Sequence, residues 1–248
     1  MTTPTYPTSG TTNFNLDTST LVEEGFERCG QQLRSGYDFR TARRSLSLMF
    51  LEWANRGINM WTIDGPYSVT LVQGTATYNL PNDTVDLLDM IIRTDAGNTS
   101  TQQDINITRI SESTYMTIPN KLVQGRPIQV WINRLGGNNN SNTNLPSGPS
   151  PQFTVWPIPD GSTTWTFVYY RIRQIQDAGT GIQGNDIPAR FLPAACAGLA
   201  YYLSLKIPQA QIRIPMLKQA YEEEWLRAAS EDREKASTRL VPRVGFIS

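Results

Sequence analysis

Leu46-Ser-Leu-Met49-Phe50-Leu-Glu-Trp53-Ala-Asn-Arg56-Gly57-Ile-Asn-Met-Trp61-Thr-Ile-Asp-Gly-Pro-Tyr67-Ser-Val69-Thr-Leu71 is the stretch on which the fold turns. In its first half Leu46, Met49, Phe50 and Trp53 recur at helical spacing, and Gly57 supplies a stop. In its second half Tyr67, Val69 and Leu71 alternate with polar residues, the period of a strand with one buried face. A helical region therefore hands over to a β-rich one near residue 61. Leu48 and Leu51 lie off the apolar face of the helix, and a helix apolar on two sides is wedged between layers or between subunits.

Toward the N-terminus, Thr20-Leu-Val-Glu23 has the spacing of a capping box, and Val22, Phe26, Cys29 and Leu33 follow at helical intervals, predicting a first helix that ends near Gly36. The second helix is expected to begin at Arg40. Arg40, Arg43 and Arg44 would then crowd its first turn, where the helix dipole disfavours cations, so they call for anionic partners. From Arg28 to Arg56 six arginines face only Asp38 and Glu52; a solvated face and a docking face for acidic protein or DNA phosphates both fit this pattern. Residues 1–18 are polar and rich in Pro and Thr, the composition of a flexible arm.

Toward the C-terminus, Tyr67–Leu71 and Thr75–Leu80 around Gln73-Gly74 read as a hairpin. Leu87–Arg93, Gln102–Ile110, Pro127–Arg134, Gln152–Pro157 and Thr164–Arg173 add short strands, with one helical turn over Ser111–Met116. Such regular strands predict an antiparallel sandwich or small barrel. The Asn-rich run from Gly136 to Asn144 reads as a polar hairpin tip. Asp186-Ile-Pro188 opens a helix striped by Phe191, Ala195, Leu199 and Tyr202, and a last helix over about 208–236 carries Leu217, Tyr221, Trp225 and Ala228. Pro242 and Gly245 keep the end non-helical, although it holds Leu240, Val241, Val244, Phe246 and Ile247, an apolar set that needs a docking site.

Composition narrows the chemistry. The chain has 248 residues and no histidine, which excludes Ser-His-Asp and Cys-His catalysis and any His-ligated zinc; two cysteines are too few for a four-thiolate site. Cys29 and Cys196, in apolar helical stretches, read as small buried hydrophobes and not as a disulfide. Lysine plus arginine and aspartate plus glutamate both number 22, so no global basic excess points to nucleic acid. No leader-like segment or membrane-length apolar run stands out, and a soluble protein made in the cytoplasm is expected, with no membrane and no cofactor.

What remains for an enzyme is a carboxylate pair, Asp86 with Asp89 or Asp83 with Asp86, but an ordinary turn explains Pro81-Asn-Asp-Thr as well. Asp104-Ile-Asn106 lacks the glycine and distal glutamate of a calcium loop. Gly179-Thr-Gly181-Ile-Gln-Gly184 has dinucleotide-type spacing without a parallel βαβ context, and reads as a flexible linker. Trp131, Trp156 and Trp165 could stack sugars, so a carbohydrate-binding or depolymerase β-sandwich module is the alternative to a structural subunit. No enzymatic activity is expected.

The ordered set Glu52-Trp53-Ala-Asn-Arg56-Gly57-Ile-Asn-Met-Trp61, Gln73-Gly-Thr-Ala-Thr-Tyr78-Asn-Leu-Pro81, Lys121 with Gly125-Arg126-Pro127, Trp156-Pro157-Ile-Pro159-Asp160, Asp186-Ile-Pro188-Ala-Arg190-Phe191 and Leu199-Ala-Tyr-Tyr202-Leu-Ser-Leu-Lys206 resembles the head-to-tail adaptors of short-tailed bacteriophages, the tail tubular protein A type, over about residues 20–240. The resemblance implies an α+β fold: a helical bundle of N- and C-terminal helices, residues 19–60 and 186–236, with an antiparallel β-sandwich or small barrel, residues 61–185, inserted between them.

It also implies a virion protein of the neck, assembled in the host cytoplasm into a homo-oligomeric ring of twelve. Its partners would be the portal protein, the tail nozzle protein and, at the periphery, a tail fibre, with double-stranded DNA passing non-specifically through a central channel. Residues 237–248, with Leu240, Val241, Val244, Phe246 and Ile247, would be the portal-docking tail. Arg40, Arg43 and Arg44 would be the intersubunit or DNA-facing basic helix. Zero net charge suits a wall along which DNA slides without sticking.

Overall fold

A computed structural model describes residues 14, 16–57, 60–134 and 150–233. In chain order the elements are α1 (Thr18–Arg28), α2 (Gly36–Asn55), β1 (Ile63–Thr70), β2 (Thr77–Asn79), β3 (Thr84–Thr94), β4 (Gln103–Asn106), β5 (Thr108–Ile110), α3 (Glu112–Met116), β6 (Gln129–Asn133), β7 (Gln152–Trp156), β8 (Trp165–Arg173), α4 (Leu192–Ser204) and α5 (Ile214–Glu231). They fall into two compact units, Met1–Asn55 with Gln176–Ser248, and Arg56–Ile175. The fold is α+β, helices with an inserted β-sandwich.

In the helical unit α4 packs against α1, α2 and α5. Leu46, Met49, Phe50 and Trp53 of α2, Leu199 of α4, and Leu217, Tyr221, Trp225 and Ala228 of α5 are all buried, as their spacing predicts. Trp53 is the hub, with Phe50, Phe191 and Trp225 rings at 5.6, 5.7 and 4.9 Å. Cys29 and Cys196 are free thiols, buried in this unit.

Both N-terminal helix starts differ from expectation. Asp17, and not Thr20, caps α1, its Oδ1 accepting from the Thr20 N–H at 2.7 Å. The helix ends at Arg28 rather than near Gly36, because Gly30 takes φ +76° and the Gln31 N–H turns back to the Phe26 carbonyl at 3.0 Å. The Arg213 guanidinium donates to the Arg28 carbonyl at 3.1 Å, a cation at a helix C-terminus. Ser35, not Arg40, opens α2: its Oγ accepts from the Asp38 N–H at 3.2 Å and donates to the Asp38 carboxylate at 2.9 Å.

Two further starts are also corrected. Asp186 is no N-cap; its carboxylate accepts from the Gln176 N–H, and a 3-10 turn over Ala189–Phe191 leads into α4. The final helix opens with a 3-10 stretch, Pro208–Arg213, before α5 begins at Ile214.

The β unit is a sandwich of two four-stranded sheets, ordered β1-β8-β3-β4 and β2-β7-β6-β5. Leu71, Leu80, Leu87, Ile92, Ile107, Val130, Ile132, Phe153, Val155, Trp165, Phe167 and Tyr169 fill the space between them. The Phe153 and Phe167 rings stack across it at 4.4 Å.

The expected hairpin of β1 and β2 is not formed: the two strands lie in different sheets. The chain crosses between sheets at Val72–Ala76, held by the Tyr78 hydroxyl, which accepts from the Val72 N–H at 2.8 Å and reaches the Thr75 carbonyl at 3.0 Å. Leu71 and Leu80, on either side of the crossing, both enter the core. The segment Gln102–Ile110 likewise splits into β4 and β5, one in each sheet, around buried Ile107. The named strands pair antiparallel except where β5 runs parallel to β6, and an isolated parallel bridge joins Gln124 to Ile158.

Candidate functional site

The outward face of α2 is the most distinctive surface of the helical unit. At 3.6 residues per turn, Tyr37, Arg40, Arg44, Leu48 and Leu51 align along the side opposite Leu46, Met49 and Trp53. Tyr37 is 67 % exposed, Leu48 51 % and Leu51 48 %, so three large apolar groups face solvent beside two cations. Arg43 flanks the row, half-buried. Because α2 begins at Gly36, these arginines stand beyond the first turn, which carries acidic Asp38 instead. The dipole conflict expected from the sequence is therefore absent.

Neither Arg40, Arg43 nor Arg44 forms an ion pair or hydrogen bond with a described residue of its own chain. The positive field is extended by Lys206, whose Nζ donates to Ser45 Oγ at 2.5 Å. Burial and, secondly, the charge of Arg44 pull the Lys206 ammonium below the usual lysine range. The sequence reading missed Lys206 and Tyr37; projecting α2 from Ser35 would have aligned Tyr37 with the arginines.

On α1, Glu23 and Glu27 are exposed on the side opposite Leu21, Val22 and Phe26, again without a described partner, while Glu24 pairs with Arg28 at 2.7 Å. With Leu16, Leu192, Pro193 and Cys196 these glutamates line a groove of about 410 Å³ between α1 and the start of α4.

Of the carboxylates singled out in the sequence, Asp83, Asp86 and Asp104 are engaged in ion pairs. Asp83 binds Arg171 at 2.5 Å, and the Arg171 side chain is buried over the Tyr67 ring. Asp86 accepts from Arg109 at 2.9 Å, from Arg134, and from the Leu87 N–H. Asp89 is exposed and has no ion-pair partner among the described residues. Asp104 pairs with Arg93 through two hydrogen bonds, 2.7 and 2.8 Å, between directly opposed positions of β3 and β4. Among the described residues no group of His, Cys, Asp and Glu is arranged to hold a metal.

The glycine-rich run is not a loose linker. Its Gly181 and Gln183 carbonyls accept from the Ser19 and Thr18 N–H groups at 3.0 and 3.1 Å, satisfying the open end of α1. The tryptophans serve the sandwich: Trp165 is buried, Trp131 stacks on Tyr115 of α3 at 5.2 Å, and Trp156 Nε1 donates to the Asn120 carbonyl at 3.1 Å. No described helix is long and apolar enough to cross a membrane. Residues 1–13 and 15 of the arm over 1–18, the Asn-rich segment, and Leu240, Val241, Val244, Phe246 and Ile247 lie outside the described residues.

No curated protein matches the chain. A family model described as SU10 adaptor protein matches residues 29–243, from the C-cap of α1 past the end of α5 and across both units. The chain belongs to the SU10 adaptor protein family, a family of phage structural adaptors.

Proposed function

We propose that the chain is a ring-forming head-to-tail adaptor of the kind short-tailed phages place between portal and tail nozzle, with no catalytic step of its own. The observation that carries this reading is the outward face of α2, where Tyr37, Leu48 and Leu51 stay exposed beside Arg40 and Arg44, which have no partner among the described residues. A protein that worked alone would gain nothing from leaving such a face open, whereas one face meeting a different face on the next copy closes a ring. Twelve copies would surround a channel for double-stranded DNA in the virion neck, assembled in the host cytoplasm. Residues 237–248 would dock on the portal, and the nozzle, with a tail fibre at the periphery, would attach on the other side. Formal neutrality, 22 basic against 22 acidic residues, favours DNA passage over retention.

Sedimentation of the purified chain with and without its portal protein tests the proposal. The expected result is a monomer or weak oligomer alone and a ring on portal; a chain that stays monomeric beside portal would overturn it.

A further inference from the structure

We infer that the outward face of α2 docks into the acidic groove between α1 and α4 of the next copy. The inference rests on the ring reading and names its contact. The two faces are complementary in three respects.

The first is charge. Among the described residues Arg40 and Arg44 on α2, reinforced by Arg43 and Lys206, pair with no carboxylate, and Glu23 and Glu27 on α1 pair with no cation; Arg28, which also lines the groove, is taken up by Glu24. Both sets belong to one compact unit, yet they do not meet within it. A second copy brings them together without any other partner.

The second is spacing. Glu23 and Glu27 are four residues apart on α1, and Arg40 and Arg44 four residues apart on α2. Each pair therefore spans about 6 Å along its helix, so two helices laid side by side can match acid to base at both positions.

The third is apolar surface. Leu48 and Leu51 continue the arginine row by one and two turns, while Leu16, Leu192 and Pro193 line the groove beside the glutamates. Exposed ion pairs alone contribute little, so this apolar margin supplies adhesion while the charges set register and exclude the reverse pairing. The contact is heterologous, one face meeting a different face, which is the kind that closes rings.

A charge-exchange series on the full chain tests the inference, with ring formation on portal read by sedimentation. Arg40→Glu with Arg44→Glu should abolish rings, as should Glu23→Arg with Glu27→Arg, and a chain carrying all four substitutions should form them again. Thermal melting of each purified variant should match the parent, since all four positions are exposed. The milder Arg40→Gln/Arg44→Gln and Glu23→Gln/Glu27→Gln chains should still assemble, at least tenfold less tightly at low salt, with the difference from the parent narrowing as salt screens the parent's own pairs.

Loss of rings in the arginine variants alone, with the glutamate variants assembling like the parent, would overturn the inference and assign the arginines to another partner. Failure of the fourfold variant to recover, with its fold intact, would overturn it as well. A parent chain that forms no ring sinks the adaptor reading itself and the contact with it, so the two failures are told apart by the parent alone.

Discussion

Trp53 Nε1 donates to the Tyr221 hydroxyl at 2.7 Å, and that hydroxyl in turn donates to Glu52 Oε2 at 2.6 Å. Trp53 is fully buried and Tyr221 is 1 % exposed, so α2 and α5, far apart in sequence, are tied by a polar relay inside an aromatic core. Tyr221→Phe removes both bonds while keeping the ring. It should destabilise the chain by about 1–3 kcal/mol, the range for a buried hydrogen bond assisted by a charge. A urea midpoint equal to that of the parent would show that the relay contributes nothing.

Gly198 sits where α4 passes closest to its neighbours. A Cβ there would lie 2.4 Å from Met49 Sδ and 2.7 Å from the Tyr221 ring. Gly198→Ala gains about 1 kcal/mol of helix propensity, but overpacking a rigid ring contact costs about 1–3 kcal/mol. The net effect should be a lower melting temperature; a rise would mean that Met49 and Tyr221 yield freely.

Acid should loosen the β unit through identifiable carboxylates. Asp64 is held below the usual carboxylate range, first by the Tyr67 hydroxyl at 2.6 Å and then by Arg171, and Asp104 is held below it by Arg93. A depressed folded pKa means stability that is present above the unfolded value, about 3.9, and is lost as pH falls through the folded one. Urea midpoints should therefore drop below about pH 4, and Asp64→Asn with Asp104→Asn should flatten that drop. An unchanged slope in the double variant would assign the acid sensitivity to other groups.

What the sequence disclosed follows from what periodicity measures. It located the buried stripes of α2 and α5 residue by residue, because a helix buries one face whatever it packs on. It misplaced the start of α2, although Ser35-Gly-Tyr-Asp38 carries the capping signal, because Arg40 heads the apolar repeat and the cap precedes it. It paired β1 with β2 because alternation shows which side of a strand is buried and not which strand lies next to it; the Tyr78 hydroxyl that holds the crossing is indistinguishable in sequence from any core tyrosine. The arginines were legible as a group, while their neighbours Lys206 and Tyr37 became visible only with α2 and α4 in place.

Removing residues from Ser237 onward should leave the melting temperature of the isolated chain nearly unchanged and abolish its attachment to portal, if that apolar segment has its site on the partner. A large fall in melting temperature would instead assign the segment to the chain's own core.

The account stands or falls on assembly, and the most direct measurement is the mass of the complex formed when the purified chain meets its portal ring. The account predicts one added mass, a whole multiple of 27.8 kDa equal to a closed ring of twelve, with no intermediate stoichiometry persisting at saturation. A portal ring that gains no mass, or that gains single copies without closing, would contradict it.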